Sequence, residues 1–264
     1  MNTITSKDGT TIAFDQLGQG PALILVGGMF EQRAMDSETS QLANFAPLSQ
    51  HFTVYHYDRR GRGDSTDTLP YTVDREIEDI EALIDYAGGS AFLYGISSGA
   101  ALAFEAALHL GGKVKKLAIY DPPYNDDPGA REGWKWFRQE VDRALSEGRR
   151  GDAVGLFIGL TGATPEQIEE LHNFPMWPMW EGIAPTIAYD AAVVGEEAAI
   201  PVERAARLTV PALVINGEQS YPFMQESGAA LAKAIPGAQY RLLAGQPHEV
   251  AADAIAPVLI EFFR

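Results

Sequence analysis

The sequence predicts an α/β fold, a mostly parallel twisted sheet covered by helices on both faces, with a helical cap inserted in it. Three observations carry that prediction. Short apolar runs bounded by glycine or proline alternate with longer segments of helical periodicity, the pattern of a sheet whose strands are joined by crossover helices. One such strand-to-helix junction holds Gly95, Ile96, Ser97, Ser98 and Gly99, a Gly-x-Ser-x-Gly run. From about residue 124 to 200 the strand pattern stops, and only helical stretches and breakers remain.

Taken in order, residues 3–6 and 10–16 are β-prone and separated by Lys7, Asp8 and Gly9, so they predict a hairpin with Asp-Gly in the turn. Residues 21–26 (Pro-Ala-Leu-Ile-Leu-Val) are apolar throughout and end at Gly27 and Gly28, as a strand buried on both faces should. Residues 52–57 form the next strand, followed by the charged loop Asp58 to Ser65. Residues 73–86 carry apolar side chains at helical spacing with acids between them, and Gly88 and Gly89 mark the stop. A buried strand at 90–94 leads into the serine motif, and the Ala-rich segment 100–110 is a strong helix former. Residues 114–120 form a strand that Asp121, Pro122 and Pro123 end abruptly. After the insertion, 210–216 is a buried strand, 226–235 a helix, 239–243 a last strand and 249–263 a closing helix. The expected division is a core of residues 1–122 and 201–264 with a helical cap at 123–200.

Composition narrows the function classes. A chain of 264 residues with 46% hydrophobic content can bury one large core. Without cysteine it has no disulfide, no thiolate metal ligand and no cysteine nucleophile. Its 36 acidic against 20 basic side chains give a formal charge of −16, a field that repels phosphate backbones and anionic lipid, so neither nucleic acid nor membrane is an expected partner. Residues 1–9 are polar and no apolar run approaches membrane-spanning length, which predicts a soluble, cytoplasmic protein acting on a small molecule. Oligomeric state is not legible.

The chemistry concentrates at the serine motif. A serine that attacks a carbonyl must stand clear of the backbone, which a sharp strand-to-helix turn with small flanking residues achieves. The same turn presents the N–H of Ser98, at a helix N-terminus, to any negative oxygen that forms. Of the five histidines, His51, His56, His109 and His172 fall in a strand approach, a strand, a helix end and the cap. His248 follows a strand and a Gly-Gln-Pro turn, at the sheet edge where open α/β sheets bind ligands.

With these features the chain resembles the α/β-hydrolase family over nearly its whole length. The resemblance is carried by the Gly27-Gly28 loop, the segment from Tyr57 to Ser65, the Ser97 motif, the insertion after Asp121, and Gly245, Gln246, Pro247 and His248. It implies that Ser97 is the nucleophile, that His248 takes and returns its proton, and that an acid fixes the histidine's tautomer. It also implies that the N–H groups of Met29 and Ser98 form an oxyanion hole, with no metal or organic cofactor. The acid departs from the family pattern. The family most often places an aspartate three residues beyond the glycine of the strand matching 210–216, and this chain has Ser220 there. Asp121, one strand over from the serine, and Glu218, in the same loop as Ser220, are the two replacements, and Asp121 is preferred. The charges of the Asp58–Ser65 loop are expected to pair among themselves as a scaffold, and Tyr189 and Asp190 are read as structural.

Trp134, Trp136, Phe137, Met176, Trp177, Met179 and Trp180 gather in the cap segment, with Tyr124, Tyr221 and Phe223 in loops at the same sheet edge. They predict an apolar pocket, with Trp136, Trp177, Tyr124 and Phe223 as expected substrate contacts. The expected activity is cleavage of a small, largely apolar ester or lactone through an acyl-enzyme. Thioester cleavage, acyl transfer and perhydrolysis use the same triad, and a non-catalytic ligand-binding protein on this scaffold is the alternative from another class.

Overall fold

The computed structural model describes residues 1–34 and 46–264. Eight strands form one sheet in the order β1-β2-β4-β3-β5-β6-β7-β8. They are β1 Asn2–Thr5, β2 Thr11–Leu17, β3 Ala22–Val26, β4 Thr53–Tyr57, β5 Ala91–Ile96, β6 Val114–Tyr120, β7 Ala212–Gly217 and β8 Gln239–Leu243. The β1–β2 hairpin pairs antiparallel, as does β2 with β4, and every other neighbour is parallel. The predicted α/β class is therefore the observed one.

Alternation along the central strands divides the core. Ala22, Ile24 and Val26 of β3 face a layer containing α1 (Val73–Tyr86), α2 (Ser98–Leu110) and α9 (Pro222–Ala234), whereas Leu23 and Leu25 face α10 (Ala252–Phe263). Because both faces are covered, β3, β5 and β7 are buried at every position, which explains why they read as continuous apolar runs.

Between β6 and β7 the chain runs through α3 (Pro128–Ser146), α4 (Arg150–Leu160), α5 (Pro165–Leu171), α6 (Trp177–Ile183), α7 (Pro185–Val194) and α8 (Val202–Ala205). Helices α3 to α7 make the cap, with its own cluster of Phe137, Val141, Val154, Trp177, Ile183 and Ile187. It is seated on the core by α7, which packs against α1 and α2.

Two helix starts differ from expectation. Helix α9 begins at Pro222 rather than Glu226, because proline at the first helical position has its φ already set and lacks only an N–H that would be orphaned there. Helix α10 begins at Ala252 rather than Glu249. The residues before it stay in a loop in which the Gln246 side chain accepts from Ala251 N at 3.1 Å.

Candidate active site

The site grows from the ends of β3, β5 and β6. Four non-glycine residues among those described have left-handed backbone, and three lie at these ends: Phe30 (φ 65°), Ser97 (φ 56°) and Asp121 (φ 47°). Such conformations cost of order 1–3 kcal/mol each and persist only where the surroundings enforce them.

At Ser97 the enforcement is steric. A Cβ on Gly95 would lie 2.3 Å from Gly99 O, and one on Gly99 would lie 2.2 Å from Val26 O, so only hydrogen fits at either flank of the motif. Strand β5 therefore turns into α2 with only Ser97 (φ 56°, ψ −129°) between them, and that residue projects at the corner. Its N–H donates to Tyr120 O at 3.0 Å, which extends the β5–β6 pairing by one residue and sets Asp121 about one strand spacing, ~4.8 Å, from the serine.

Asp121 is fully buried and accepts four hydrogen bonds. Oδ1 receives Asn216 Nδ2 at 2.7 Å and Gly217 N at 3.2 Å; Oδ2 receives Ser220 Oγ at 2.5 Å and His248 Nδ1 at 3.0 Å. A carboxylate only accepts, so the imidazole proton lies on Nδ1 and Nε2 is left with its lone pair, facing away from Asp121. The His248 loop is pinned in turn, because Tyr120 Oη donates to Pro247 O at 2.5 Å and Gln219 N to Gln246 O at 2.9 Å. Glu218, the other candidate acid, is exposed and accepts from Gly245 N at 2.8 Å. Of the two, it is Asp121 that meets His248. No hydrogen bond from Ser97 Oγ to His248 Nε2 is formed, and such contacts commonly tighten only when substrate is bound.

The loop after β3 borders the serine. A Cβ on Gly28 would lie 3.1 Å from Ser97 Cβ, so the backbone passes close to the nucleophile because residue 28 is glycine. The N–H groups of Met29 and Ser98 donate to no other described residue. The loop's carbonyls are engaged, Gly28 O by Arg62 Nη1 at 2.6 Å and Gly27 O by Arg59 Nη1 at 3.3 Å.

Those arginines correct one expectation: the Asp58–Ser65 loop is a scaffold, but its arginines pair with other elements. Arg59 binds Glu76 and Asp190, Arg60 binds Asp79 and Asp8, and Arg62 binds Asp190. Asp58 serves the backbone of Asp64 and the side chain of Arg33. Burial works against the Asp190 charge, yet Arg59 and Arg62 outweigh it and hold the carboxyl below its ordinary range. For Arg62 burial and the neighbouring Arg59 prevail over Asp190, and the guanidinium sits below its usual value.

The expected pocket residues separate. Phe223 packs on Tyr221 (5.8 Å between ring centroids), which in turn meets His248 edge-on at 5.9 Å, so this aromatic pair adjoins the site. Trp177 is buried inside the cap, edge-on to Trp180. Trp136 is 56% exposed and lies off the inward stripe of α3, which runs through Trp134, Phe137, Val141 and Ala144. Tyr124 is corrected too: it is fully buried in the core cluster with α2, on the side of Glu105 and Arg204. Tyr120, Asn216, Ser220 and Arg62 contact Asp121, the His248 loop or the Gly28 carbonyl, and the sequence reading gave none of them a place beside the triad. Only Ser220 had a sequence signal, a hydroxyl standing at the position where the family usually has its acid.

Among the described residues, no group of three or more His, Asp or Glu side chains is placed to hold a metal ion, and no helix is long and apolar enough to cross a membrane.

Residues 23–254 match the Alpha/beta hydrolase family. Among solved structures, an alpha/beta hydrolase from Sphaerobacter thermophilus DSM 20745 is similar at 45% identity over the whole of both chains, with a TM-score of 0.85. A thermophilic esterase from Thermogutta terrifontis shares the fold at 24% identity over 100% of this chain and 97% of that one (TM-score 0.73). A pimeloyl-[acyl-carrier protein] methyl ester esterase from Nitrosospira multiformis is 30% identical over 145 residues, 52% of this chain and 52% of its own. The chain spans about half the length of the curated relatives it matches. On the match across residues 23–254, together with the sheet order and the serine-bearing turn, the chain belongs to the alpha/beta hydrolase family.

Proposed function

We propose that the protein is a serine hydrolase that cleaves a small, largely apolar ester or lactone through an acyl-enzyme. The carrying observation is the Asp121–His248 pair, joined at 3.0 Å and set one strand from a serine on a strained strand-to-helix corner. In this reading His248 Nε2 takes the Ser97 proton as Oγ attacks the acyl carbon, and Asp121 stabilises the imidazolium through Nδ1–H. The carbonyl oxygen becomes negative and is held by the N–H groups of Met29 and Ser98, each such donor being worth roughly 2.7–4 kcal/mol. Collapse breaks the bond to the alkoxy oxygen, which takes the proton from His248 and departs as the alcohol of an ester or stays tethered as the hydroxyl of an opened lactone. Water then attacks the acyl-enzyme by the same steps in reverse, its proton passing through His248 back to Ser97.

In this reading the cap, taken as residues 123–200, serves to exclude water from the reacting groups, and Tyr221 and Phe223 flank the histidine with aromatic surface. The pimeloyl-[acyl-carrier protein] methyl ester esterase and the Thermogutta terrifontis esterase that the chain resembles agree in class with ester cleavage. The test is steady-state hydrolysis of a panel of short aryl esters and lactones. The expected result is turnover that Ser97→Ala and His248→Ala each abolish, and turnover surviving Ser97→Ala would overturn the proposal.

A further inference from the structure

Arg62 is a buried cation with no part in the proton transfers proposed for Ser97 and His248, and its contacts bear on where one reacting dipole points. A trans peptide is planar, with C=O and N–H directed oppositely from one plane. The peptide joining Gly28 to Met29 therefore aims the Met29 N–H by whatever holds Gly28 O. That oxygen receives Arg62 Nη1 at 2.6 Å and, more weakly, Glu31 N at 3.3 Å.

Arg62 is itself fixed at its other two nitrogens: Nε donates to Thr186 Oγ1 at 3.1 Å and Nη2 to Asp190. Arg62, Thr186 and Asp190 are all buried, so the guanidinium has no solvent-exposed alternative. Only a planar fork serves three acceptors in one plane at once, which an ammonium on a flexible stem does not. Both anchors lie on α7, a cap helix. The same loop is tied to the cap a second time by Phe30, stacked on Trp180 (5.8 Å) and edge-on to Phe157 (4.9 Å). Asp190 also takes Arg59, which holds the preceding carbonyl, Gly27 O.

We propose that Arg62, clamped by Asp190 and Thr186, is a positioning residue that sets the direction of the Met29 N–H and so makes the oxyanion hole depend on the seating of cap helix α7. This rests on the reading of Ser97 as nucleophile and Met29 as oxyanion donor. A buried ion pair that merely stabilised the fold would lower the folded fraction without changing transition-state binding by the folded enzyme.

The experiment compares wild type, Ser97→Ala, Arg62→Lys and Arg62→Met in hydrolysis of p-nitrophenyl acetate. Inhibition by an alkyl trifluoromethyl ketone, whose serine adduct carries an oxyanion, and thermal unfolding are measured in parallel. Arg62→Lys keeps the charge pair with Asp190 and is expected to fold, with kcat lowered on the order of 10-fold to 10²-fold and KM little changed. The ketone should weaken by the same factor, and Arg62→Met should lose more. A folded Arg62→Lys or Arg62→Met enzyme with wild-type kcat, or one whose kcat falls while the ketone binds as before, would overturn the proposal. If Arg62→Met does not fold, Arg62→Lys decides. Survival of activity in Ser97→Ala instead strikes the site reading itself, and is thereby told apart.

Discussion

Replacing Asp121 with asparagine should disable the enzyme while leaving the fold in place, and the hydrogen bonds around the carboxylate say why. An asparagine must put its NH2 where one carboxylate oxygen stood. At the Oδ1 position it would confront two donors, Asn216 Nδ2 and the fixed backbone N–H of Gly217, so that orientation is unfavourable. At the Oδ2 position it meets the Ser220 hydroxyl, which can rotate to accept, and His248 Nδ1, which can accept if the ring proton moves to Nε2. The second arrangement satisfies every group, but the histidine then carries its proton on the nitrogen that should receive one from Ser97. Loss of the productive tautomer in a triad costs on the order of 10³–10⁴ in kcat, or about 4–5.5 kcal/mol. The assay is kcat on an activated ester for Asp121→Asn beside Glu218→Gln, with thermal unfolding as the control for folding. Glu218→Gln should change little, because Glu218 contacts only the Gly245 end of the loop. Near-wild-type turnover in folded Asp121→Asn, or a larger loss in Glu218→Gln, would show that Asp121 is not the group that orients His248.

Three further outcomes concern the acid's support, the serine corner and a buried histidine. Ser220→Ala removes a charge-assisted hydrogen bond to buried Asp121 and should cost about 1.5–3 kcal/mol in urea unfolding, with a smaller fall in kcat than Asp121→Asn; an unchanged midpoint would contradict it. Gly99→Ala drives a Cβ to 2.2 Å from Val26 O and 2.5 Å from Gly27 O, so it should cost at least about 3 kcal/mol or prevent folding, and a wild-type denaturation curve would show the elbow is looser than described. His56 on β4 is held by burial at about 4, below the ordinary 6.5, so an unfolded chain takes up the proton first as pH falls. Its contribution is complete above pH 6.5 and is lost as pH falls through about 4, by at most about 3 kcal/mol and less because the ring is partly exposed; His56→Gln should flatten the stability curve over that interval, and parallel curves would count against it.

The core was legible where local chemistry decided it. Strands β6 and β8 and helix α1 run over the residues expected from apolar runs, turn residues and 3.6-residue spacing. The serine corner was legible because its two glycines answer a steric demand within five residues. The outward position of Trp136 is readable from spacing: residues 134, 137, 141 and 144 make one stripe of α3, and 136 lies off it. What could not be read were pairings between distant segments. Arg62 and Asp190 are 128 positions apart, and nothing local in the Asp58–Ser65 loop tells that its cations look outward. Ser220 was discounted for lacking a carboxylate, whereas its hydroxyl supports one that reaches the place from β6.

Activation of Ser97 by His248 is tested by labelling with a fluorophosphonate followed by peptide mapping. The expected result is a single adduct on Ser97, none in Ser97→Ala, and labelling slowed by orders of magnitude in folded His248→Ala. Labelling of Ser97 at the same rate without the imidazole, or an inert Ser97 in the folded wild-type protein, would contradict it.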